Sequence, residues 1–181
     1  MLKKKFTETI LDPLFLIIVS NVIQYYYTKH QNANEVKRAY IQKQLNEFYL
    51  PLKNSLITSN LNWQEYNLRY GSQENFQKIQ SDDDSTENLH WKIYMLTQFQ
   101  QIHNYIRNIL KRRDLVISNS DLNKDVDTLT KHVNEYQLTY YSLNNNIRHS
   151  TNIALHHYPK SIEGLLDRDI VILQDQLKIL D

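Results

Sequence analysis

Moving a proton near neutral pH calls for a group such as histidine, and phosphate chemistry calls for a cation beside it. The stretch RHSTNIALHH, residues 148–157 of this 181-residue chain, holds both within one short segment. Arg148 could grip a phosphate through its planar guanidinium while His156 serves as acid and base. The competing reading is a polar loop leading into a capped helix. Metal chemistry is a poorer match, because neighbouring histidines such as His156 and His157 point about 100° apart on a helix. HVNE, with His132 and Glu135, stands alone, and neither HExxH nor a recurring ExxH is present. Asp82, Asp83 and Asp84 lack the alternating spacing of a calcium loop and read as a solvated helix start. No metal and no other cofactor is expected, and no small-molecule substrate is identified. His103, Arg107 and Lys111 follow at four-residue steps, with Arg112 and Arg113 behind them. That stripe could contact lipid headgroups or nucleic-acid phosphates. Its competitor is that cations near a helix C-terminus offset the dipole and keep that face wet.

The Arg–His arrangement in RHSTNIALH resembles that of helical-bundle ribonucleases of the HEPN type, which carry an Arg, a polar residue, a few spacers and a His. The likeness implies a helical ribonuclease or toxin using Arg148 and His156. Seven residues separate the two here, a longer spacing than the family's, and each extra residue turns a helical side chain by about 100°. Serine nucleophile elbows and phosphate-cradling glycine loops are absent, and with no cysteine in the chain thiolate chemistry and disulfides are excluded. A formal charge of +1 argues against bulk attraction to nucleic acid.

The elements that must position these residues read as helices. Apolar content of 41% supports a folded core, and two glycines with three prolines leave little for sheet turns. Val36, Tyr40, Ile41, Leu45, Phe48 and Tyr49 recur at helical spacing until Pro51, which is expected to end or kink the helix. Residues 71–88 read as a loop. A helix over about 86–113 presents Leu89, Ile93, Leu96, Ile102, Ile106, Ile109 and Leu110 as its core stripe. Asp121 is placed to cap the next helix, whose stripe runs from Leu122 to Tyr140. The last helix starts near Pro159 and buries Ile162, Leu165, Leu166, Ile170, Leu173, Leu177 and Leu180. The expected fold is all-α: an N-terminal hydrophobic, transmembrane helix followed by an up-and-down bundle of four or five amphipathic helices.

The most apolar run is Ile10–Tyr27, with Leu14, Phe15, Leu16, Ile17, Ile18, Val19, Val22 and Ile23 at its centre. Eighteen helical residues reach roughly 27 Å against a ~30 Å hydrocarbon core. Ten are Leu, Ile, Val or Phe, worth roughly −3 to −6 kcal/mol for insertion, which Asp12, Asn21 and Gln24 nearly offset. Lys3–Lys5 before the run and Tyr25–Tyr27 with Lys29 after it match the belts at membrane interfaces. The reading is a single-pass anchor over residues 1–30 and a helical domain over 31–181, with membrane lipid as partner. Lys29, Lys37, Arg38 and Lys43 lean the domain towards the cytoplasm. The competing reading is a soluble bundle in which residues 10–27 are the central buried helix.

ILDPLFLIIVSNVIQYYYTKHQ followed by KRAYIQKQLNEFYLPL resembles uncharacterised prokaryotic single-pass membrane proteins that follow an N-terminal anchor with EFYxPL, here Glu47–Leu52. The likeness covers roughly the first 55 residues, carries no named family, and implies architecture alone. Phe48, Tyr49 and Pro51 would form the corner where the emerging helix turns into the bundle. The function expected on these grounds is non-enzymatic: a membrane-anchored interaction or sensory module that binds another protein or a second copy of itself.

Overall fold

The computed structural model describes residues 2–70, 86–145 and 157–180, with the side chains of residues 2–14, 70 and 86–88 excepted. Among the described residues the chain is all-helical, with no strand. Its elements are α1 (Leu2–Gln44), a π turn (Leu45–Tyr49), α2 (Leu50–Tyr70), α3 (Thr86–Tyr94), a second π turn (Met95–Phe99), α4 (Gln100–Leu110), α5 (Leu122–Asn144) and α6 (Ile162–Leu180). Each π turn joins its flanking helices without a break, so these segments make four rods.

Side-chain contacts set the order of the rods. Tyr66 meets Trp91 and Trp63 meets Phe99, so α2 runs antiparallel to α3 and α4. His103 meets Tyr140 and Arg113 meets Asp127, which sets α5 antiparallel to α4. Ser161 donates to Asp125 and Arg168 pairs with Asp121, setting α6 against α5. Asn60 to Glu163, Lys53 to Asp167 and Arg38 to the Leu180 carbonyl then return α6 along α2 and α1. Two clusters fill the interior. One is aliphatic, centred on Leu52, Leu56, Ile106, Leu115, Leu129 and Leu166; the other is aromatic, built on Tyr66, Trp91, Met95, Phe99 and Tyr140.

The π turns explain where periodicity misleads. Trp91, Met95, Phe99 and His103 are all buried at steps of four, and in a regular helix three such steps drift about 120° off one line. One extra residue in a turn rotates the residues beyond it by about 100° and nearly restores the line. The expected stripe is therefore corrected upstream of the turn: Leu89 and Ile93 are exposed, and Trp91 and Met95 face the core. At the other π turn Leu50 donates its N–H five residues back to Leu45. Pro51 sits in the first turn of α2 and the helix runs on through it, so the chain turns no corner there. Phe48 and Tyr49 are core residues, fully buried.

The first half of α1 is a different object. From Phe15 to Tyr40 the rod is largely solvent-exposed, with Phe15 66% and Ile23 63% exposed and Val19 the partly covered exception in the apolar run. The reading of residues 10–27 as a central core helix is overturned over its described part, because the bundle does not cover it. The transmembrane expectation is not supported either: no helix among the described residues is long and apolar enough to cross a membrane. The part of the run whose side chains are described, Phe15–Tyr27, is 13 residues, about 20 Å of helix against a ~30 Å core.

Candidate functional site

Two places hold the residue types that could act, and they differ in what surrounds them. Inside the bundle, α6 carries Asp169 on the same side as Leu166, Ile170 and Leu173, and only 1% of it is exposed. A buried carboxylate must be compensated by donors, and four donor atoms from three side chains surround this one. Ser120 Oγ donates to Oδ2, as does the Tyr49 hydroxyl at 3.4 Å. Arg168 Nε and Nη2 lie 3.2 Å from Oδ1. The Tyr49 oxygen also accepts the Ile117 N–H at 3.0 Å, and Ser120 Oγ accepts that of Leu122 at 3.1 Å. Burial first, and the neighbouring Asp169 charge after it, push the Tyr49 hydroxyl up to about 12. The node thus ties the π turn of the first rod, the loop before α5 and α6 together. The expected cap is corrected here: Asp121 makes no side-chain cap bond, its carboxylate pairs with Arg168, and Ser120 does the capping.

The aromatic cluster holds the second buried polar group. His103 Nδ1 lies 2.5 Å from the Tyr140 hydroxyl, under Phe99 and Tyr136. Burial, reinforced by nearby His132, lowers His103 to about 3, and burial raises the phenols of Tyr136 and Tyr140. The imidazole is neutral at pH 7, and it shares a hydrogen bond with the Tyr140 hydroxyl whose direction is set by the ring tautomer. Neither this pair nor Tyr49 changes charge near neutrality, and each node ties together elements remote in sequence.

The expected stripe of cations divides accordingly, because His103 points inward and cannot share a wet face with Arg107 and Lys111. Lys111 donates to Asn108, Arg112 pairs with Glu47 at 2.6 Å, and Arg113 pairs with Asp127 at 2.6 Å. Arg148 and His156, the residues of the ribonuclease reading, lie outside the described residues, as do Asp82–Asp84. Among the described residues no three of His, Cys, Asp and Glu stand together as a metal site would require. Asp169 and Ser120 are not singled out by sequence reasoning; the available signal is a carboxylate three residues after Leu166 and four before Leu173, inside an apolar stripe.

The other place is the exposed arm. Phe15, Leu16, Ile17 and Ile18 stand in solvent on successive positions that cover every side of one helix turn, Val22 and Ile23 follow a turn later, and Tyr25, Tyr26 and Tyr27 after them are equally exposed. A helix turn apolar on every side belongs inside a core or a bilayer, and here the described residues of the chain supply no cover. Leu14, just upstream, has no described side chain. No protein-family model, curated protein or solved structure matches this chain.

Proposed function

We propose that the chain is a membrane-tethered helical interaction module without catalytic activity, held at the cell membrane by the apolar arm with the bundle on the cytoplasmic side. The observation that carries this reading is the bare apolar helix from Phe15 to Ile23, which leaves the bundle rather than packing into it. Exposed apolar area of that extent is removed from water at roughly 25 cal/mol per Å², a driving force towards lipid. The Tyr25–Tyr27 belt with Lys29 next to it suits a headgroup layer, and Lys37 and Lys43 beyond suit the anionic cytoplasmic face. Phe15–Tyr27 alone is too short to span, so a crossing would enlist Ile10–Leu14 of the same helix as well.

Separating membranes and washing them at alkaline pH tests this. Wild-type chain is expected to stay in the pellet, while Leu16→Asp with Ile18→Asp moves to the supernatant with unchanged helical circular dichroism. A wild-type chain found wholly in the supernatant ends the proposal.

A further inference from the structure

The outward side of α2 carries a second apolar pattern, of which the described bundle uses only the Leu50 end. Leu50, Asn54, Ile57, Leu61, Gln64 and Leu68 succeed one another at alternating steps of four and three. That is coiled-coil spacing, with Asn54, Leu61 and Leu68 at a and Leu50, Ile57 and Gln64 at d. The buried residues Leu52, Leu56, Ser59 and Tyr66 fall at f and c, on the opposite side. Leu61 is 58% exposed and Leu68 87%. A groove of about 490 Å³ between α2 and α4 flanks the seam, with Leu50 and Asn54 on one wall and Ile102 and Tyr105 on the other.

We infer that α2 pairs in parallel with α2 of a second copy of this chain. The seam matches itself layer by layer. In a parallel pair Asn54 meets Asn54 and Gln64 meets Gln64, and each amide offers both a donor and an acceptor to its mate. A wholly apolar partner helix would set those amides against carbon and leave them unpaired. Charge agrees. At the flanking e and g positions only Lys53 and Glu65 are charged, and Asp167 and Arg69 of the same chain already hold them. No like charges are opposed. Direction comes from the first rod, in which α1 and α2 are continuous: parallel pairing sends both arms off the same end, and on this point alone the inference rests on the membrane reading.

The test uses full-length chain in detergent micelles. Sedimentation equilibrium is expected to give twice the 21.8 kDa chain mass, halved by Leu61→Glu with Leu68→Glu and kept by Leu16→Asp with Ile18→Asp. The arm variant therefore separates this inference from the membrane proposal. With no native cysteine, Leu68→Cys should oxidise to a covalent dimer, while Leu138→Cys, also exposed but on α5, should not. Wild-type monomer, or pairing lost in the arm variant and kept in the seam variant, overturns the inference. A dimer in which Leu68→Cys fails to cross-link overturns the parallel arrangement, since antiparallel seams place Leu68 against Leu50.

Discussion

The two halves of the first rod make an informative pair. Phe15–Ile23 carries seven large apolar side chains in nine residues and Ile41–Leu56 seven in sixteen, and the chain is helical in both. The second half is buried against α4 and α6 and tied to its surroundings: Gln44 donates to the Leu115 carbonyl and Tyr49 to Asp169. Among the described residues the first half has no such neighbours. Helix formation and hydrophobicity are therefore not what separates core from arm; tertiary contact is. An apolar residue stabilises this fold only where other helices remove it from water, and the described residues leave the arm's apolar surface in solvent.

Truncation should expose that contrast most strongly. Phe48→Ala empties a fully buried site and should cost about 3–5 kcal/mol in urea unfolding, whereas Phe15→Ala should stay within about 0.5 kcal/mol. Equal losses at both positions would erase the distinction between arm and core. Next in size is Asp169→Ala, which strands the Tyr49 and Ser120 hydroxyls beside Arg168 and should cost about 2–4 kcal/mol. Tyr49→Phe removes only the bridging hydroxyl and should cost about half as much.

Acid should weaken the bundle through His103. Its folded value, lowered to about 3, lies below the unfolded value of 6.5, so the unfolded chain binds a proton that the folded chain refuses. Stability from this group is complete above pH 6.5 and falls as pH drops towards 3, by about 2 kcal/mol between pH 7 and pH 5. Unfolding of His103→Phe at the two pH values should lack that portion of the slope, with a pH-independent loss from the orphaned Tyr140 hydroxyl. The smallest effect belongs to the exposed Arg113–Asp127 pair. Arg113→Ala should shift stability by less than about 0.5 kcal/mol and lose even that in high salt.

The all-α class was legible in the residues, because glycine scarcity and apolar spacing of three and four are local properties of the chain. The same spacing identified the buried sides of α5 and α6: Leu122, Val126, Leu129, Val133 and Tyr140, and Ile162, Leu166, Ile170 and Leu173, lie in the core. It failed at Leu89 and Ile93, since a π turn at Met95–Phe99 changes the phase of the helix and leaves no unambiguous mark in composition. It failed at Pro51 for a related reason, the widened turn before it allowing the helix to continue through a residue that usually stops one. His103 reads as part of a cationic surface because spacing alone cannot tell an imidazole facing water from one facing Tyr140. Asp169 is not legible because its donors come from residues 49, 120 and 168, remote in sequence save for Arg168. By itself the sequence determined helix, apolar side and the existence of a run too hydrophobic to leave in water. Only the tertiary structure decided which apolar faces the described helices cover and which they leave exposed, because burial depends on the distance between rods rather than on any residue within one.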